Sequence, residues 1–148
     1  NVELAASIQN WTFDRSDNEV SIIANGKHNN YQLSVSLHND SQGLNVVCGF
    51  DLRFNEKNKF QILKLVSSIN PHIGGGPFDD CDKDRLIVYR NSSILDKTNL
   101  NLETIETLLI DAINSIDLYF PAFQYILWAG KTSEEALSTV LFETRGEA

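Results

Sequence analysis

Few residues in this chain have the types and spacing to do chemistry, and each such set departs from what the chemistry needs. Asp80, Asp82 and Asp84 repeat the alternating carboxylates that open a calcium-binding loop. Such a loop needs glycine at its sixth position, for the sharp turn, and a bidentate glutamate at its twelfth. Those positions hold Arg85 and Asn91, so a solvated hairpin tip, with Lys83 and Arg85 offsetting the acids, is the better account. Gly130-Lys131-Thr132 imitates the end of a phosphate-binding loop, but Tyr125 stands where its first glycine belongs and a helix precedes it instead of a strand. A helix stop followed by a cap explains the same three residues. Gly74-Gly75-Gly76 lacks both the lysine and the following helix and reads as a connector. His28, His38 and His72 are scattered over separate turns and strand ends, without a second ligand at metal-binding spacing. There is no nucleophile elbow and no cysteine with an obvious histidine partner. The expectation is a protein that is not an enzyme and takes neither metal nor cofactor.

What remains is aromatic and amphipathic. From Tyr119 to Trp128 the chain reads Tyr-Phe-Pro-Ala-Phe-Gln-Tyr-Ile-Leu-Trp, and aromatics at this density occupy more than one helical face. Part of the run is expected in the core and part in a dimer seam, or in a groove for an apolar segment of a partner. Tyr119, Phe123, Tyr125 and Trp128 are the candidate contacts. Asp51 and Arg53, two apart on one strand face, would add a polar latch or an ordinary surface ion pair, which is worth about 0 to 1 kcal/mol.

The elements that must position these residues follow from hydrophobic periodicity. Val2, Leu4, Ala5 and Ile8 share a helical face, predicting a short helix that ends near Asn10. Trp11 and Phe13 lead into turn chemistry at 14–18, and a strand follows from Glu19 to Ala24. After the turn dipeptide Asn25-Gly26, the alternation of Tyr31, Leu33, Val35 and Leu37 with polar residues marks a half-buried strand. A third strand puts Leu44, Val46, Cys48, Phe50, Leu52 and Phe54 on one face, so three strands form an antiparallel meander. Phe60, Leu63, Val66 and Ile69 change the period to that of a helix, which Pro71 stops. Phe78 to Cys81 and Leu86 to Arg90 read as two more strands. Leu102 opens the strongest helical signal, with Ile105, Leu109, Ala112, Ile116, Phe123 and Leu127 recurring every three to four residues. Pro121 predicts a kink near 117–121. Gly130 ends that helix, and Thr132 or Ser133 caps a last short one in which Ala136, Leu137 and Val140 face inward. The predicted class is α+β: a two-layer sandwich in which an antiparallel sheet of about five strands packs on helices, in the order α-β-β-β-α-β-β-α(-α).

Composition bounds the function. With 148 residues, the chain makes one domain that needs no disulfide or metal to hold its core. The 12 Lys and Arg against 20 Asp and Glu give a net charge of −8, the wrong sign for a nucleic-acid partner. Nine of the acids but only three of the bases lie from Asp96 onward, with no base between Lys97 and Lys131. The long helix therefore has an acidic outer face, which favours partners with basic flanks. Cys48 and Cys81 are too few for a secreted disulfide framework. No apolar run approaches the ~18 to 20 residues that cross a bilayer, and the start has no signal-like pattern. A cytoplasmic protein without a membrane partner is expected. The absence of Met suggests an incomplete N-terminus and a first helix cut short.

Several of these residues carry a family resemblance. Phe50-Asp51-Leu52-Arg53, then Phe120-Pro121-Ala122-Phe123-Gln124 with Leu127-Trp128-Ala129-Gly130-Lys131, Glu134-Glu135-Ala136-Leu137 and the closing Gly146-Glu147-Ala148 resemble the alphaproteobacterial branch of the YbjN-domain proteins. The match in order runs from Trp11-Thr12-Phe13-Asp14-Arg15 onward, and residues 1–148 are read as a single such domain. The family carries the label of a sensory transduction regulator. It is similar in fold to type III secretion chaperones, small acidic α+β domains that pair into homodimers. The resemblance implies a chaperone-like or regulatory homodimer that binds an amphipathic segment of a client protein, and it brings no catalytic residues. The alternative is a small-ligand or enzymatic domain with a pocket between sheet and long helix.

Overall fold

The computed structural model describes residues 1–37, 43–73, 78–81, 85–94 and 101–147. In chain order the elements are α1 (Val2–Ile8), β1 (Thr12–Ser16), β2 (Glu19–Asn25), β3 (Asn30–Leu37), β4 (Gly43–Arg53), α2 (Glu56–Ile69), β5 (Phe78–Cys81), β6 (Leu86–Ile94), α3 (Leu102–Ala129) and α4 (Ser133–Glu147). They make an α+β fold around one six-stranded antiparallel sheet, in the order β1-β2-β3-β4-β6-β5. The sheet therefore has six strands, one more than the sequence predicts. The extra one is β1, formed by residues assigned above to an aromatic lead and a turn. Every residue of β1 is exposed, so it shows no inside-outside period, and only its pairing with β2 makes it a strand. The turn shrinks to Asp17-Asn18, between the paired Ser16 and Glu19.

Alternation sorts the other strands. Val20, Ile22, Ala24, Tyr31, Leu33, Val35, Leu44, Val46, Cys48, Ile87 and Tyr89 are buried beneath the helices. The opposite face is mostly polar, with cross-strand rows Ser21–Ser34–Val47–Arg90 and Glu19–Ser36–Asn45–Ser92. Cys48 is a buried free thiol, and burial pushes its pKa up to about 12.

Capping fixes the helix limits. The Asn55 side chain accepts from the Asn58 amide at 3.1 Å and the Asn58 side chain accepts from the Asn55 amide at 2.8 Å, a reciprocal box that starts α2. The buried stripe of α2 is Ile62, Leu65 and Ile69. Phe60 and Leu63, members of the predicted periodic set, face solvent, because both sets obey helical spacing and only packing chooses between them. In α1, likewise, Ala5 and Ala6 are buried while Leu4 and Ile8 are exposed. The Asn101 side chain caps α3, accepting from the Thr104 amide at 2.8 Å. This helix is continuous through Pro121 and ends at Gly130, whose φ of 66° suits glycine. Thr132 and Glu135 form a second capping box, and α4 runs for 15 residues, longer than the sequence suggests. It packs against α3 and α2, so the long helix has a helical neighbour as well as the sheet. That is why α3 can be apolar on two sides.

Candidate functional site

The four aromatics proposed as contacts have different fates. Tyr119 and Phe123 are buried. Phe78 of β5 inserts between them and Tyr89, with ring centroids at 6.0 Å from Tyr119, 5.6 Å from Phe123 and 5.5 Å from Tyr89. The Asn70 side chain holds Phe78 in place, accepting from its amide at 3.0 Å and donating to its carbonyl at 2.8 Å. Tyr119 and Phe123 are therefore core residues and unavailable as partner contacts in the folded chain. Tyr125 is half-buried, and its hydroxyl donates to Glu143 of α4 at 2.9 Å. That bond to a carboxylate raises the phenol pKa and ties the two last helices together. Trp128 is 71% exposed.

Two exposed aromatics outside the predicted set match it: Phe60 on α2 at 68% and Phe142 on α4 at 79%. Neither was legible as a contact. Phe60 sits in an ordinary amphipathic pattern, and Phe142 in a helix expected to end sooner. Arg53 is exposed at the end of β4, past a register shift that begins at Gly49. The side chain of Asp51, its proposed latch partner, lies outside the described set. So do the side chains of Asp80 and Cys81, residues 82–84 of the acidic turn, His38 and the Gly74-Gly75-Gly76 connector. Among the described residues, no group of three or more His, Cys, Asp and Glu side chains could hold a metal. His28 and His72 are exposed and far apart in sequence.

A polar arrangement outside the predicted set centres on Asp117. Asp117 of α3 reaches the β2–β3 turn, where its carboxylate accepts from the Lys27 amide at 2.7 Å, the His28 amide at 3.3 Å and the Tyr31 hydroxyl at 2.7 Å. Gly26 permits this approach, since a Cβ there would lie 2.3 Å from the Tyr31 ring and 2.7 Å from the Asp117 carboxylate. Burial, first, and then the bond and charge of Asp117 raise the Tyr31 pKa. Asp117 is also the residue whose backbone carbonyl Pro121, lacking an N–H, leaves without its helical donor. The partners lie about ninety positions apart in sequence, so no local pattern announces them. Lys27, His28, Asp117 and Glu143 share an open cleft with Pro121 and Val140. Its carboxylates serve as structural ties, Asp117 to the turn and Glu143 to Tyr125.

Among the described residues, no helix is long and apolar enough to cross a membrane. A model of the YbjN family, described as "Putative bacterial sensory transduction regulator", matches residues 1–125, from α1 through most of α3. The C-terminal run beyond Tyr125, with Trp128 and α4, lies outside the matched span. No curated protein and no solved structure matches the chain.

Proposed function

Since the chain belongs to the YbjN family, we propose that it is a regulatory, chaperone-like binding domain that works without catalysis. It acts in the cytoplasm as a homodimer and holds an amphipathic segment of a client protein, in the manner of a type III secretion chaperone. The observation that carries this reading is the exposure of one aromatic on each of three helices: Phe60, Trp128 and Phe142. Aromatic side chains of this size give large contact area at low entropic cost and concentrate at protein interfaces. The acidic character of the C-terminal half favours basic residues flanking the client's apolar stripe.

Light scattering on the purified protein tests the pairing. The wild type should have the mass of a dimer, and the Trp128→Ser/Phe142→Ser double variant should fall to a monomer with an unchanged circular dichroism spectrum. A client co-purified with the wild type should be lost with the variant. A wild type that stays monomeric at high micromolar concentration would overturn the homodimer. A client retained by the variant would move the binding surface elsewhere.

A further inference from the structure

The sheet forks at one place. Pairing of β3 with β4 runs from Leu37 and Leu44 to Leu33 and Cys48, where it stops. Beyond that point β3 continues to Asn30 alongside β2, and β4 continues to Arg53 alongside β6, through the register shift between Gly49 and Arg53. The two strands separate, and a cleft of about 410 Å³ lies between them. Bulges of this kind recur beside functional sites because they end pairing and re-aim side chains.

The lining has a consistent chemistry. Residues 30–32 of β3 have β2 on one side and the gap on the other. The main-chain amide of Asn30 is taken by the Asn29 side chain, which accepts from it at 2.9 Å, so side chains supply the polar lining. Asn29, Asn30 and Gln32 bring side-chain amides, while Phe120 of α3, packed edge-on to Tyr31 at 5.7 Å, and Leu86 bring apolar surface. Arg53 lines the cleft, exposed and without a hydrogen-bond or ion-pair partner among the described residues. At Gly49 a side chain would meet nothing within 4 Å, so the space is open.

We propose that this fork is a binding site for a small organic carboxylate. The guanidinium of Arg53 takes the carboxylate through paired N–H donors, the geometry for which arginine is suited. The side-chain amides of Asn30 and Gln32 take a hydrogen-bonding group on the ligand, and Phe120 and Leu86 meet its apolar part. The same chemistry is offered by a free small acid and by the C-terminus of a peptide. The inference is independent of the pairing proposed above, since a monomer presents the same cleft.

Hippurate, which combines a carboxylate, one peptide group and a ring, is the probe. Titration calorimetry should give saturable binding, and amide resonances of Gln32 and Gly49 should shift. Arg53→Gln should weaken binding about tenfold or more, the loss of a charge-assisted hydrogen bond. Gly49→Leu should block the cleft, whereas Arg90→Gln, on the polar face of the sheet, should change nothing. Hippuramide, without the charge, should fail to bind. An acetylated tripeptide with a free C-terminus distinguishes the sources: tighter binding than hippurate identifies a peptide end, weaker binding a free acid. The absence of saturable binding by both, or binding that Arg53→Gln leaves intact, would overturn the site.

Discussion

Two sets of aromatic side chains divide this molecule. Phe78, Tyr89, Tyr119 and Phe123 form a closed cluster between the sheet edge and α3, whereas Phe60, Trp128 and Phe142 stand in solvent on three different helices. Residue type does not separate the sets, nor does periodicity. Phe123 and Trp128 belong to one uninterrupted run, and Phe60 belongs to the same predicted periodic set as the buried Ile69. What separates them is coverage by an element distant in sequence. Phe78 reaches Phe123 because Asn70 pins the start of β5, and α4 ties down Tyr125 through Glu143, while Trp128 stays 71% exposed. An aromatic-rich helix thus acquires an inside and an outside only when its neighbours arrive.

The largest expected effect tests that division directly. Truncating Phe123 to Ala empties space in a closed cluster and should cost about 3 to 5 kcal/mol in urea denaturation. The same truncation of Trp128 should stay within about 0.5 kcal/mol, as for other surface substitutions. Comparable losses at both positions would dissolve the distinction. Phe123→Glu, an attractive way to split a seam on sequence grounds alone, would instead unfold the chain by burying a charge.

This contrast marks how much the sequence discloses. The strands from β2 to β4 were legible because Tyr31, Leu33 and Val35 alternate cleanly with polar residues, and α3 because its apolar spacing persists for many turns. Gly130 and Thr132 were legible as stop and cap, since both act locally. The edge strand β1 was not, because a strand exposed on both faces carries no period. Pro121 lies inside α3 without breaking it into two helices. Of the proposed contacts, Trp128 faces solvent while Tyr119 and Phe123 do not. That assignment depends on α4 and β5, which no window along α3 contains. Asp117 illustrates the same limit for polar groups, since four elements (β4, α2, β5 and β6) separate α3 from its partners at 27, 28 and 31.

Asp117 also offers the next largest effect, because it fastens the solvent-facing side of α3 to the β2–β3 turn much as Phe78 fastens the inner side to β5. Asp117→Ala would leave two amides and the Tyr31 hydroxyl without their acceptor. The expected loss is about 1.5 to 3 kcal/mol, the net worth of a hydrogen bond to a charged group, and it centres on the part-buried Tyr31 hydroxyl because the two turn amides are exposed to water. Native-state hydrogen exchange should localise the change to Lys27 and His28, with the Phe78 cluster still protected. If protection were instead lost uniformly, the two attachments of α3 would be one cooperative unit.

The smallest effect lies where the buried aromatics approach the fork. Tyr31 packs edge-on against Phe120, and its phenol is held neutral by burial and by the Asp117 carboxylate. A phenol whose pKa is raised in the fold contributes stability that is fully present below the unfolded value of about 10 and is lost as the pH climbs past it. Tyr31→Phe keeps the ring contact and removes the ionisation. Near neutral pH it should cost about 1 kcal/mol, the net worth of one hydrogen bond. Above pH 10 its stability should fall less steeply than that of the wild type, because the unfolded chain then has one phenol fewer to ionise. Among the described groups, the remaining slope would belong to Tyr89 and Tyr119, both raised chiefly by burial, to Tyr125, raised by its bond to Glu143, and to Cys48. An alkaline limb as steep in Tyr31→Phe as in the wild type would show that those other groups, and not the Asp117 tie, set the alkaline limit of the fold.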